Sequence, residues 1–508
     1  MRRRIVSGAA VTLPLAVATL LLTSGASAAE PRAEATAGTP CAADQAGVTV
    51  QTKSGVVRCI PAGILDPHTG PVAGPDLRIP GRWELIAVAP RAWWAAAPQW
   101  TDGDVSGIDP LRSCRPRDTG GATDVGLGWP RVPGRVPSTG PLRVAVIPVQ
   151  SAGSASPNAD NWLYETSPWR NGSTWLGYAD DLQQAQSNRR SRFAFTVTAT
   201  VTVPRPLADY GITRSNRQVG NAFHELMTDV LRAADPVVDF RQFDAFLVLP
   251  PQGVISFGPA WARGAGAGVT VDGVEMRNGT VIGDENRNTS PAEIIVHEFG
   301  HLLGLPDLYA ADPTGYRYVG AMSQMSNPYQ FRGVTGYEEW LLRWIPESRV
   351  VCVKPSPKRP TDVTLASVSG PVTASKGRLL AMVPLGFGRA LAVEYRTRQG
   401  LDATLGRQGV HVYLIDPSRA SMRGPMTSYR ADASTLEPLA DTSNADATSA
   451  ATFATQDAID GALLQPGQSI TYQGVRVSVP DLPQQRPATV LNVNRAPVTL
   501  TVRIQRGR

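Results

Sequence analysis

The chain has 508 residues, more than one ordinary hydrophobic core organises, so two or three domains are expected. Its balance of 42% hydrophobic and 18% charged residues is globular, and 48 Gly and 43 Pro favour loops and β-structure over long helices. The formal net charge is only +6, three of it from Arg2, Arg3 and Arg4, and no Lys/Arg block occurs, which argues against a nucleic-acid partner.

The N-terminus explains those arginines. Met1–Arg4 is basic, Val11–Leu22 is apolar apart from Thr and Pro14, and Ala26-Ser27-Ala28 is an A-x-A cleavage signal. Residues 1–28 therefore read as a signal peptide, and the chain as secreted and extracellular. A membrane anchor fits less well, because the apolar run falls short of the roughly 20 residues of a span and contains a proline. No later stretch qualifies, so no membrane insertion is expected after the signal is removed. Export makes the four cysteines readable as disulfides. Cys41, Cys59, Cys114 and Cys352 allow three connectivities, and a local Cys41–Cys59 bridge leaves Cys114 with Cys352. A second role for Cys114 is a thiolate in a pro-segment that occupies the open position of a metal ion.

Residues 29–140 read as a pro-region or accessory segment. The first part, to about residue 45, is polar and Ala-rich; Val48 to about Pro137 is irregular, with apolar patches such as Trp83–Val88 between Pro/Gly clusters. Trp93, Trp94 and Trp100 form a small aromatic group under loops.

A domain over residues 141–350 opens with Leu142–Pro148, a buried-strand signature. Gly177–Arg190 is a helix candidate, Phe193–Val203 alternates like one strand, and Asn221–Ala234 is an amphipathic helix with Phe223, Leu226, Met227, Val230 and Leu231 inward. Phe243–Leu249 is another apolar strand. Val269–Met276 around Asp272-Gly273 is a hairpin, and Asn278-Gly279 reads as a tight turn before the strand Thr280–Ile282. This order is α/β (α+β). His224-Glu225 begins like a metal motif, but the residue four on is Thr228.

Ser290–Tyr309 (SPAEIIVHEFGHLLGLPDLY) carries the chemistry. Ser290 and Glu293 can form a capping box, with Pro291 in the first turn. His297 and His301 lie four apart, on one helix face, where two imidazoles can meet one metal ion, and Glu298 sits beside the first as a candidate general base. Gly304 can take the left-handed conformation that ends a helix, and Pro306 cannot continue one. The chain then turns back, and Asp307 can supply a third ligand. Glu338 and Glu339, on a later helix, are rival third ligands. Met322 is the candidate apolar floor beneath the histidines, with Met325 in reserve.

His297–Tyr309 (HEFGHLLGLPDLY), Gly320-Ala321-Met322 and Trp340–Ile345 (WLLRWI) resemble the immune-inhibitor-A-like metallopeptidases, secreted bacterial zinc proteases. Val237–Phe240, Asp244–Val248, Ala392–Arg396, Gly400–Asp402 and Gly409–Asp416 agree more weakly, and the likeness covers about residues 141 to 420. The resemblance implies a zincin or metzincin-like catalytic domain with one zinc ion on His297, His301 and Asp307 and Glu298 as base. Some members bind calcium, for which Asp312 is available. Leu308 stands where some relatives have a second acid.

The expected reaction is hydrolysis of protein or peptide substrates, and Thr280–Ile282 is a candidate edge strand for pairing with an extended peptide. Residues 351–508 are Pro/Gly-punctuated, with short alternating segments at Leu379–Pro384, Leu391–Tyr395, Val410–Ile415 and Val498–Ile504, and read as a β-rich sandwich. Residues 420–460 read as a long loop and His411 as a half-exposed strand residue. The molecule is expected to be a monomer. Two rival functions are a zinc amidase acting on cell-wall peptides and a non-catalytic binding protein on a peptidase scaffold; the intact HExxH and Asp307 argue against the second.

Overall fold

In a computed structural model of the chain, the described residues are 39–41, 49–52, 55–60, 81–85, 111–117, 124–151, 175–211, 222–250, 260–262, 268–282, 291–310, 318–328, 332–370, 377–403, 405–429, 461–482 and 499–507. The signal peptide, Trp93, Trp94, Trp100, Ser290 and Asp312 lie outside them. The first elements are four strands, β1 (Pro40–Cys41), β2 (Thr49–Thr52), β3 (Gly55–Ile60) and β4 (Gly81–Leu85), in one antiparallel sheet of order β1-β4-β3-β2. This corrects the expectation of an irregular segment: Thr52 pairs with Gly55 across a two-residue connection, and valine-bearing strands run on either side.

The second sheet is built on β5 (Gly140–Ser151), whose residues are buried almost continuously from Val144. Such a run belongs to a central strand covered on both faces. β6 (Ser191–Val197) and β7 (Val201–Val203) pair in parallel with its successive halves, and β8 (Ala245–Leu249) pairs in parallel on the other side. The expected single strand Phe193–Val203 is thus two: β6 ends at Val197, where the Thr198 N–H makes its last bond to the Val146 carbonyl, and β7 begins at Val201. β9 (Ala260–Ala262), the hairpin β10 (Val269–Val271) and β11 (Val274–Met276), and β12 (Gly279–Ile282) follow.

Asp272 and Gly273 both have positive φ, as the hairpin's two-residue turn requires. Asn278-Gly279, by contrast, is no tight turn. Gly279 already pairs with Phe246, and a Cβ there would run into the Phe246 ring. Nor is Thr280–Ile282 an edge: β12 lies between β8, parallel, and β9, antiparallel, so among the described residues β9 ends the sheet.

Helices cover the two faces. Leu142, Val144 and Val146 of β5 share a core with α1 (Trp175–Gln186) and α3 (Pro291–Leu302), while Ala145, Ile147 and Val149 share another with α2 (Ala222–Ala234) and the hairpin. The period of two in β5 sorts its side chains between the cores. Among the described residues no helix is long and apolar enough to cross a membrane.

After α4 (Gly336–Leu341) the chain is β-rich, as expected. β13 (Val350–Cys352), β15 (Leu380–Gly386), β16 (Arg389–Arg396), β17 (Gly409–Ile415), β18 (Met426–Ser428) and β19 (Leu463–Leu464) form one sheet. β14 (Thr361–Ala366), β20 (Ser469–Tyr472), β21 (Val475–Ser478) and β22 (Thr499–Arg506) form a second. Leu391, Val393, Val410, Val412 and Leu414 of the first pack on Val363, Leu365, Val477 and Val502 of the second, which makes a sandwich.

The outer face of the first sheet is buried as well. Ala390, Ala392, Tyr413 and Ile415 belong to the same core as α3. His411 lies on that face, wholly buried, which corrects the half-exposed reading: its imidazole meets Glu394 at 3.3 Å and Ser428 at 2.7 Å. Of residues 420–460, expected as one loop, 426–428 form β18 and 430–460 lie outside the described residues.

Candidate metal centre

Every residue of α3 is buried, so its polar side chains need internal partners. Ile295, Phe299 and Leu302 supply the apolar packing, with Phe193 against Phe299 at 4.7 Å between ring centroids. Gly300, between the two histidines, lets Met325 approach; a Cβ there would collide with the Met325 sulfur. Met322 is equally buried, but Met325 is the methionine that lies against the helix at this point.

Gly304 ends the helix at φ +96. Its N–H bonds the His301 carbonyl, and the Leu305 N–H reaches back to the Gly300 carbonyl, the paired bonds of a Schellman turn. The same turn brings the Leu305 carbonyl to 2.8 Å from His301 Nδ1. His297 Nδ1 lies 2.8 Å from the Gln324 carbonyl. A carbonyl only accepts, so each Nδ1 carries a proton, and in the neutral imidazole it is Nε2 that keeps the lone pair.

Both Nε2 atoms converge on Asp307. Its Oδ1 is 3.0 Å from His301 Nε2 and 3.3 Å from His297 Nε2, and the three side chains form a buried group able to hold a metal ion. Two imidazole nitrogens and a carboxylate oxygen suit a transition-metal ion such as zinc in their donor chemistry. Without a metal, His301 is held protonated instead. Burial alone would lower the His301 pKa, but the charge and hydrogen bond of Asp307, with Glu298 close by, push it up to about 9. Glu298 is buried on the same turn as His297.

Glu338 and Glu339 are not in the group. Glu338 accepts from Thr335 in the capping box of α4 and from Ser323, and burial pushes its pKa up to about 7. Glu339 lies near Asn188, and burial likewise raises its pKa well above the carboxylate range. Cys114 is bridged to Cys352, so the thiolate role is excluded. The side chains of Cys41 and Cys59 lie outside the described residues. Among the described residues no second cluster of metal-ligating groups occurs.

Three features of the surroundings were not visible in the sequence. Asp307 is held by a loop of the C-terminal sandwich: Asp307 N–H donates to Ser421 Oγ at 2.9 Å, Ser421 Oγ lies 3.2 Å from Asp307 Oδ2, and Met422 N–H donates to the Asp307 carbonyl at 3.0 Å. Arg396, buried on β16, donates to Glu394 at 2.8 Å, to Asp402 at 2.9 Å and to the Met322 carbonyl at 2.8 Å, two residues before the carbonyl that orients His297. Burial works against the Glu394 charge, but Arg396 and His411 overcome it and hold its pKa at about 2. Finally, Arg131 Nη1 donates to the Leu303 carbonyl at 2.9 Å, at the negative end of α3. Nothing in the local spacing marks these residues; the weak likenesses at Ala392–Arg396 and Gly400–Asp402 include Glu394, Arg396 and Asp402 but give them no role.

No family model matches the chain, and no curated protein matches it.

Proposed function

We propose that the chain is a secreted zinc-dependent endopeptidase. One observation carries the reading: two Nε2 atoms of a buried helix meet a carboxylate oxygen from the loop that follows it, with a glutamate beside the first histidine. When bound, zinc would polarise the scissile carbonyl and acidify a water molecule. The rest of the work belongs to the chain's own side chains. The Gln324 and Leu305 carbonyls hold both imidazoles in the Nδ1–H tautomer. Glu298 takes a proton from the attacking water and passes it to the leaving amine. An extended substrate would add to the sheet at β9, the antiparallel strand that ends it, rather than at β12.

The test is zinc content together with chelator-sensitive cleavage of casein and of peptidoglycan by purified protein. Casein cleavage that stops with chelator and returns with zinc supports the reading. In the Glu298→Ala variant, zinc should stay bound while turnover falls by about 10²–10⁴-fold. Cleavage of peptidoglycan alone would favour the amidase, and metal-loaded protein that cuts neither would sink the enzyme reading.

A further inference from the structure

Asp307 approaches the histidines from a return loop, where a carboxylate has freedom that a helix would deny it. Two consecutive residues from 114 positions away remove that freedom. Ser421 Oγ accepts the Asp307 N–H at 2.9 Å and donates to Asp307 Oδ2 at 3.2 Å, so one hydroxyl bridges the backbone and the carboxylate of the same residue. This bridge fixes the torsions between them. The next residue, Met422, donates its N–H to the Asp307 carbonyl at 3.0 Å. Backbone donor, backbone acceptor and side chain of Asp307 are thus all engaged by one loop between β17 and β18. The division of the carboxylate is unequal: Oδ2 faces Ser421, and Oδ1 faces the two Nε2 atoms at 3.0 and 3.3 Å.

The loop is itself held in place. Met422 has φ +62 and Gly424 φ +76, so the chain turns sharply, and Ser428 N–H donates to the Tyr318 carbonyl at 2.7 Å. Asp416 N–H closes the loop on the Pro425 carbonyl at 2.8 Å. A hydroxyl carried on so constrained a loop can orient a ligand; one on a mobile side chain could not.

We propose that Ser421 is a positioning residue for the metal centre: its hydroxyl holds Asp307 so that Oδ1 alone is presented to the ion, and the C-terminal sandwich thereby completes a site whose histidines belong to α3. The inference rests on the metal-site reading above and adds the residue that sets the affinity of the third ligand.

The test compares full-length wild type with Ser421→Ala, Ser421→Thr and Asp307→Ala. Zinc affinity is read by competition with a chromophoric chelator, and ligand geometry by the visible spectrum of the cobalt-loaded protein. Ser421→Ala should bind zinc about 10–100-fold more weakly, with an altered cobalt spectrum, while Ser421→Thr, which keeps the hydroxyl, stays close to wild type. The melting temperature of the metal-free forms separates this from a packing defect, which would lower stability and leave the spectrum unmoved. Should Ser421→Ala fail to fold, Ser421→Thr against Ser421→Val removes the hydroxyl at constant shape. Wild type with one zinc and a Ser421→Ala or Ser421→Val variant of equal affinity and spectrum overturns the inference and leaves the metal site standing. Wild type that takes up no zinc overturns both.

Discussion

Replacing Gly304 by alanine should damage the metal centre through the backbone alone. At φ +96 the residue lies beyond the left-handed well near +57, where an L side chain costs about 1–3 kcal/mol. Space contributes little: the nearest atoms to an added Cβ are Arg135 Cγ at 3.5 Å and Arg131 Cγ at 3.6 Å, ordinary contacts. Removing a glycine also restrains the unfolded chain, which offsets about 0.4–1 kcal/mol. The net loss should be about 1–2 kcal/mol, measured by urea denaturation of the metal-free protein. Relaxing φ would shift the Leu305 carbonyl off His301 Nδ1, so zinc affinity should fall by about tenfold. Gly273→Ala is the control, since Gly273 has φ +74, open space around it and a place in a distant hairpin. It should lose comparable stability with unchanged metal affinity. If Gly304→Ala behaves like Gly273→Ala, the turn ends the helix but does not orient His301. If its stability is unchanged, the strain argument is wrong.

Two further predictions concern charge. With its pKa raised from 6.5 to about 9, His301 stabilises the metal-free fold fully below about pH 6.5, and that contribution is lost as pH rises through about 9. Zinc must displace the same proton, so its affinity should climb by about tenfold per pH unit from pH 7 toward 9 and then level. A flat affinity over that range would show that His301 is already neutral. Arg396→Met leaves Glu394 and Asp402 buried without their cation and should cost about 3–5 kcal/mol in urea denaturation, partly recovered by adding Glu394→Gln. A loss of about 1 kcal/mol or less would mean that water reaches the two acids.

The sequence was informative wherever one segment carries its own periodicity. The inward face of α2, the buried strands β5 and β8, and the hairpin at Asp272-Gly273 follow from residues within each element. The histidine pair and the glycine stop are equally local. Pairings between distant segments were not legible. Nothing in Thr280–Ile282 says that Ala260–Ala262 will cover its outer side, because a three-residue strand carries no record of its neighbours. His411 was misread for a related reason. A strand of a sandwich is expected to show one face to solvent, but here Ala392, Tyr413 and Ile415 turn that face into a second core. Once a face is enclosed, its polar residues must satisfy one another, and His411, Glu394, Tyr413 and Arg396 do so.

The same enclosure bears on how the chain divides. Lines drawn at 140 and at 350 cut through contacts that α3 depends on. Val136 N–H donates to the Leu302 carbonyl, Arg131 to Leu303 and Gly126 N–H to Gly304, so the carbonyls at the end of α3 are satisfied by residues 126–136. Those carbonyls have no partner inside the helix, and burying them unpaired is costly. Tyr337 Oη donates to the Leu127 carbonyl, and Trp129 packs against Trp340 with centroids 4.9 Å apart and the rings tilted by 51°. The Cys114–Cys352 disulfide likewise joins a residue before 140 to β13, a strand that begins at Val350 and is itself cut by the line at 350. Residues 126–136 therefore do for the helix end what Ser421 does for Asp307. Each is distant in sequence, and each supplies a hydrogen bond that the segment carrying the ligands cannot make for itself.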